Sequence, residues 1–293
     1  MEEIIMDKIK VAVVGAGGKM GTRTSNNLIT KFPDKFDVKL VETFEPAIKK
    51  IENERHLTVT PIEEALEFAQ VVVFAVPDSL IGKLSKEYVP MLKPGTGFLI
   101  LDPAAAVARE LVTRDDCTFG VAHPCHPSYF KWQKEEKAYK DRFGGEGGHQ
   151  DIVMSKICGD DKIFDLMKET ATCMYRADKA YVLTTDQIAF LEPTLVEQMG
   201  ACFLYAMAET VDEGVKRGIP KEAAVSFMTG HIFNLSANFL GYLPGNPPVS
   251  DACKVAIGIG NRTVLREDWR KIWDHDEQMK VIHTMLHPDD PQI

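Results

Sequence analysis

Residues 8–21 read KIKVAVVGAGGKMG, and this stretch decides the fold. The apolar run Val11, Ala12, Val13, Val14 stops at Gly15, Ala16, Gly17, Gly18, Lys19, Met20, Gly21. A β-branched run without polar alternation is a strand covered on both faces, as in a parallel sheet flanked by helices. The glycines then turn the chain into a helix. Gly15 can take a turn conformation closed to side chains, Gly17 and Gly18 let a pyrophosphate approach the backbone, and Gly21 lets the helix pack close on the strand. The helix start offers N–H groups to phosphate oxygens. The GxxGxxG spacing thus predicts a dinucleotide loop from Gly15 to Gly21, with Ala16, Lys19 and Met20 as its intervening members.

Working outward, residues 36–42, FDVKLVE, predict a second strand that ends on Glu42. An acid at that tip accepts hydrogen bonds from the adenosine ribose and repels a 2′-phosphate, so Glu42 selects NAD over NADP; Glu45 is the rival acid. The interval from Gly15 exceeds the usual spacing of about 20 residues, which places an insertion at residues 31–35. A third strand, VVVFAV at 71–76, is closed by Pro77 and Asp78. In nucleotide folds the loop after this strand lies under the nicotinamide ribose, which marks Val76 and Pro77 as cofactor contacts. Helices are expected at 62–69 and 80–91, strands at 97–101 and 118–122, and a helical stretch runs to 111. Such alternation predicts a Rossmann-type, doubly wound parallel sheet with ligands at the carboxyl ends of its strands.

The strand at 118–122 runs into His123-Pro124-Cys125-His126-Pro127. Two imidazoles three residues apart at a strand end can serve as base, as substrate hydrogen-bonding group or as metal ligand. Cys125 between them reads as packing. Residues 131–148 are polar and glycine-rich and predict a mobile connection over the site. Strands at 151–158 and 180–184 around a helix at 162–174 would extend the sheet.

From Asp186 the pattern becomes all-helical. Helices are expected at 187–217, interrupted at Pro193, then at 221–239, from 249 onward and at 266–285. This divides the chain at 185/186 into an NAD-binding domain, 1–185 with core 8–127, and a helical substrate and dimerisation domain, 186–293. The stretch 201–208 has so little polar face that a homodimer core is expected there. Glu192 and Glu197 sit on an apolar helix, where carboxylates are costly unless paired or bound to a cation. With His231, Asn234 and His126 they could collect one divalent metal. Lys254 and Arg262 could hold a substrate carboxylate.

The chain has 293 residues and a net charge of −9, which opposes a nucleic-acid partner while permitting a small anion in a local pocket. No stretch approaches the ~20 apolar residues that span a bilayer. The acidic start, MEEIIMDKIK, lacks the features of a signal peptide, and six scattered cysteines without a CxxC pair read as reduced thiols in a cytoplasmic protein.

With these pieces placed, the sequence resembles the D-apionate oxidoisomerases, NAD-linked relatives of the 6-phosphogluconate and prephenate dehydrogenase group. The resemblance is carried by VGAGGKMG, VVVFAVPDSLIGK, LDPAAA, VAHPCHP, FLEPTLVEQMGA and SDACKVAIG and covers nearly the whole chain. It implies oxidation of the C2 hydroxyl of a branched sugar acid by NAD, with an α-ketol rearrangement that yields 3-oxo-isoapionate. VEQMGA and SDACK are also similar to ketol-acid reductoisomerase, where acidic residues hold two magnesium ions. Glu197 falls on one such position, Glu192 is one residue out of register for another, and His231-Ile232 replaces a later carboxylate. That departure leaves room for a single metal. On this reading His123 is the base, His126 and Glu192 ligate the metal, and Glu197 and Lys254 act on the substrate. Two other readings stay open: a simple NAD(P)-dependent hydroxy-acid or prephenate-like dehydrogenase without rearrangement, and a non-catalytic nucleotide-binding regulator.

Overall fold

The computed structural model describes residues 7–144, 146–245 and 249–293. The readings of the extreme N-terminus (1–6), of Gly145 in the glycine-rich run, and of 246–248 between the helices expected at 221–239 and from 249 onward lie outside the described residues. The chain divides into two compact units: residues up to Ala189 together with Ile282–Ile293, and Phe190–Val281. The expected split at 185/186 therefore differs mainly at the C-terminus, where the last twelve residues return to the sheet unit. His287 Nε2, 2.7 Å from Glu110 Oε1, ties them there.

The first unit is built on β1 (Ile9–Val14), α1 (Lys19–Lys31), β2 (Phe36–Val41), α2 (Glu45–Arg55), α3 (Ile62–Phe68), β3 (Val71–Phe74), α4 (Asp78–Tyr88), β4 (Gly97–Ile100), α5 (Ala104–Val107), β5 (Thr118–Pro124), α6 (Glu136–Lys140), β6 (Gln150–Cys158), α7 (Asp161–Tyr175), β7 (Ala177–Val182) and α8 (Thr185–Ala189). One seven-stranded sheet runs β2-β1-β3-β4-β5-β6-β7. Strands β1 to β5 are parallel, and Val11, Val13, Val71, Val73 and Leu99 are fully buried between helical layers. This is the burial that their unbroken apolar runs require.

Strand order reverses direction between β1 and β3, so the switch point of the sheet, where such folds bind ligands, lies at the end of β1. The sheet is not wholly parallel. β6 runs antiparallel to β5, with Pro124 opposite Ile152. The chain therefore leaves β5 and re-enters β6 at the same end. The connecting strap, 125–149, therefore starts and ends at the carboxyl end of the parallel strands, which is the ligand end.

Helix α2 begins at Glu45, in a stretch where the sequence pattern predicts no element. Its polar face hides it from periodicity, since only Ile51 is buried. The helix expected to reach residue 111 stops at Val107.

The second unit contains a π-helical segment, Phe190–Ala201, then α9 (Cys202–Lys216), α10 (Lys221–Phe239) and α11 (Asp251–Thr263). The helix expected over 187–217 with an interruption at Pro193 thus has three parts. Pro193 has no N–H, and its ring would clash with the carbonyl four residues back, at Ala189. α8 ends at that residue, and the wider π winding begins one position later. α12 (His275–Leu286) crosses the boundary between the units.

Candidate active site

Gly15 has φ +78°, and a Cβ there would lie 2.5 Å from the Ala75 carbonyl oxygen. Only glycine fits this turn. A Cβ on Gly21 would lie 2.1 Å from Gly15 O, so α1 rests directly on the turn. The amides of Gly15 and Ala16 both donate to Val41 O at 3.0 Å, which hangs the loop on β2. No side chain caps the start of α1, and no acid lies in its first turn. A helix start of this kind is suited to phosphate.

Glu42 follows β2 directly. Its Oε2 accepts the Gly17 N–H at 2.9 Å, and its Oε1 accepts the amides of Thr43 and Phe44 at 2.9 and 3.1 Å. Glu45, the rival, opens α2 and pairs with Lys49. A cleft of about 270 Å³ is lined by Gly15, Gly18, Glu42, Phe44, Val76 and Pro77, among others. Five of the ten expected cofactor residues, Gly15, Gly18, Glu42, Val76 and Pro77, thus line one hollow, while Gly17 and Lys19 line another that also includes Gly18. Two members sit differently. Ala16 is fully buried, and its N–H and carbonyl are both used within the protein. The Met20 side chain packs on the core, so it presents backbone rather than thioether to the loop.

The two histidines share one device. His123, at the end of β5, has Nδ1 at 2.8 Å from Leu101 O, and His126 has Nδ1 at 2.8 Å from Phe143 O. A carbonyl oxygen only accepts, so Nδ1 must carry the proton in both rings, and the lone pair of the neutral ring falls on Nε2. His126 holds this pose with φ +59°, a left-handed conformation rare for side-chain-bearing residues. Cys125 is exposed. The protein packed around its sulfur, followed by the Asp151 carboxylate, pushes its thiol up to about 11. It is therefore protonated at neutral pH and is not a thiolate nucleophile.

The strap between β5 and β6 is organised rather than loose. The Asp141 carboxylate accepts four backbone N–H groups, from Gly144, Glu146, Gly147 and Gly148, at 2.9 to 3.0 Å. Burial alone would raise its pKa, but these bonds hold it below the ordinary carboxylate range. Lys131 Nζ bridges Asp151 and Asp178 at 2.8 Å each, fastening the strap to β6 and β7. No simple sequence signal marks Asp141; it is one acid in a polar stretch.

In the second unit, π winding changes the meaning of a five-residue spacing. In an α-helix, residues five apart point about 140° from one another. Where hydrogen bonds run i→i+5 the wider winding brings them to within about 50° of one another. Glu192 and Glu197 therefore share one face of the π-helical segment. His231 folds back on its own helix, with Nδ1 2.8 Å from Phe227 O and its ring stacked on Phe227. Lys254 pairs with Asp251 at 2.9 Å in the first turn of α11, whose start Ser250 caps. His126 belongs to the first unit and Glu192 to the second. Among the described residues, no three His, Cys, Asp or Glu side chains gather as a metal cluster.

Fold and site together define a Rossmann-type, dinucleotide-linked oxidoreductase with a helical second unit. The chain is 71% identical to a D-apionate oxidoisomerase from Blautia hydrogenotrophica, over 98% of this chain and 100% of the relative. It is 41% identical to one from Cupriavidus necator, over 95% and 99%. It belongs to the D-apionate oxidoisomerase family. Residues 131–286 match the family described as phosphogluconate dehydrogenase (decarboxylating) C-term. A crystal structure titled a semialdehyde dehydrogenase NAD-binding protein from Cupriavidus necator, in complex with calcium and NAD, superposes with TM-score 0.89 at 40% identity, over 95% of this chain and 100% of that one. An NADH-preferring ketol-acid reductoisomerase from an uncultured archaean gives TM-score 0.64 at 18% identity, over 98% and 86%, a likeness of fold. No helix among the described residues is long and apolar enough to cross a membrane.

Proposed function

We propose that this protein is an NAD-dependent D-apionate oxidoisomerase, converting D-apionate to 3-oxo-isoapionate in the cytoplasm. The observation that carries the reading is the pair of imidazoles, each with Nδ1 on a backbone carbonyl, at the carboxyl end of a sheet whose glycine turn and Glu42 form a dinucleotide cradle. The glycine turn, the uncapped start of α1 and the Glu42 carboxylate fit NAD: helix N–H groups for the pyrophosphate, an acid for the ribose, Val76 and Pro77 along the hollow. Bound NAD would supply a hydride acceptor.

His123 takes the proton of the C2 hydroxyl on Nε2 as the C2 hydrogen leaves as hydride, and Leu101 O steadies the imidazolium that results. The ketol step then conserves oxidation state. The C3 hydroxyl loses its proton, the bond from C3 to the migrating hydroxymethyl breaks as one to C2 forms, and the C2 carbonyl oxygen ends as a hydroxyl. His126 Nε2 holds or exchanges a proton with these oxygens. In the helical unit, Glu197 is the proposed acid-base partner of the migration, and Lys254, held by Asp251, the anchor for the substrate carboxylate. His126 and Glu192 carry donor chemistry suited to a divalent cation, but the described residues form no three-donor cluster, so no step is routed through a metal.

A homodimer through α9 to α11 belongs to the same proposal. Of 19 residues in α10 only Ala237 is buried, while Tyr205, Phe227 and Val255 are 69%, 70% and 63% exposed. Apolar area on that scale is a self-association surface.

The test is NMR analysis of the product formed from D-apionate and NAD, with and without added divalent cation. Reduced cofactor together with 3-oxo-isoapionate supports the proposal. Reduced cofactor with an unrearranged 2-oxo acid identifies a plain dehydrogenase, and saturable NAD binding without turnover a regulator.

A further inference from the structure

Phe143, in the strap, touches both halves of the first unit's site. Its carbonyl accepts from His126 Nδ1 at 2.8 Å, and its ring lies 4.7 Å from the His126 ring. The same ring has Lys19 Nζ and Arg23 Cζ each 3.8 Å from its centroid. Lys19 opens the first turn of α1, at the dinucleotide loop, and Arg23 is one turn on. The Arg23 contact matters because Nε and Nη1 of that guanidinium are buried with no hydrogen-bond partner. Buried cationic N–H groups left unpaired are costly, and an aromatic face is the compensation offered here. Phe143 is itself fixed from its neighbours: Asp141, two residues earlier, binds the Gly144 amide, one residue later.

We propose that Phe143 is a positioning residue of the reaction: by bridging α1 and His126 it fixes the imidazole against the dinucleotide loop and locks the strap in its working pose. The inference rests on the reading of His126 given above. Ring and backbone act together, since the ring anchors the strap to Lys19 and Arg23 and the carbonyl then meets His126 in one orientation. The start of α1 keeps its own N–H groups whatever happens to the ring, so cofactor binding and turnover respond differently to its loss.

The experiment compares Phe143→Ala, Phe143→Leu and Phe143→Tyr in the full chain, measuring kcat, KM for D-apionate and Kd for NAD. Circular dichroism and melting serve as folding controls. Loss of positioning predicts that Phe143→Ala and Phe143→Leu lower kcat about tenfold or more, while Kd for NAD moves less than about threefold. Phe143→Tyr, which keeps the ring, retains turnover near wild type. A purely space-filling role predicts instead that Phe143→Leu rescues, and that result overturns the proposal. In a double-mutant cycle with His126→Asn, the effect of Phe143→Ala on kcat should largely vanish. Additive effects also overturn it. If His126→Asn alone keeps wild-type turnover, the reading of His126 fails; if His126→Asn is impaired and Phe143→Ala is not, only the positioning role fails.

Discussion

Gly17 donates its amide to Glu42 Oε2 at 2.9 Å, so the acid proposed to bind the cofactor's ribose also holds the glycine turn in place. The other carboxylate oxygen takes two further amides, from Thr43 and Phe44. Glu42→Ala leaves three donors without their acceptor, at a cost of about 1–3 kcal/mol for each one that stays buried. We expect Kd for NAD to rise by about tenfold or more in the variant. Discrimination against NADP should narrow, because the negative charge opposing a 2′-phosphate is gone. Titration of both cofactors by fluorescence measures the two effects, and an unchanged NAD/NADP ratio refutes the second.

Gly21 admits no side chain, because a Cβ would stand 2.1 Å from Gly15 O. Gly21→Ala must push α1 off the turn, an overpacking cost of about 1–3 kcal/mol. The expected outcome is a melting temperature lower by several degrees and weakened NAD binding, read by scanning calorimetry with and without cofactor. Equal cofactor-induced stabilisation in wild type and variant would contradict it.

His123→Asn preserves an N–H donor for Leu101 O and removes the basic nitrogen. With the fold intact, kcat should fall by about 10²- to 10⁴-fold, the usual range for loss of a general base. Stopped-flow measurement of NADH formation checks this. A loss confined to KM would reassign His123 to substrate binding.

Asp141 gives a pH signature. Its carboxyl is partly buried, which opposes ionisation, yet four backbone N–H groups hold it below its ordinary value. A depressed folded-state pKa means that the stabilisation is complete above the unfolded value and disappears as pH falls through the folded one. Asp141→Asn should therefore melt a few degrees below wild type at neutral pH, and the gap should close as pH drops below about 4. Melting curves from pH 7 to pH 3 test the sign; a gap that widens in acid is inconsistent with it.

The exposed faces of α9, α10 and α11 predict a dimer in solution. Light scattering should give twice the chain mass, and Phe227→Glu, at a position 70% exposed within the single chain, should shift it toward monomer. A wild-type monomer at micromolar concentration removes that part of the proposal.

Several elements were legible because their causes are local. The run Val11 to Val14 with its glycines, the strand expected at 71–76 and found at Val71–Phe74, and the strand expected at 118–122 and found at Thr118–Pro124 each carry burial and turn chemistry in adjacent residues. Helix α2 was missed because it buries one residue in eleven and shows no apolar stripe. The pairing of Glu192 and Glu197 was legible only through Pro193, whose distortion of the helix the sequence announces without fixing its form. An α-helical period assigns them to different sides, and the wider winding around Pro193 turns them toward the same side.

Sequence alone determined the switch-point fold, the dinucleotide turn and the two imidazoles, since glycine stereochemistry and unbroken apolar runs act over a few residues. Tertiary structure decided the rest: the reversed β6 that makes the strap start and end at the ligand end, the carbonyls that set both histidine tautomers, and the meeting of Phe143 with Lys19, Arg23 and His126. Those contacts join residues up to about 120 positions apart, and the energy of a hydrogen bond or a ring contact depends on where the folded backbone brings its partners.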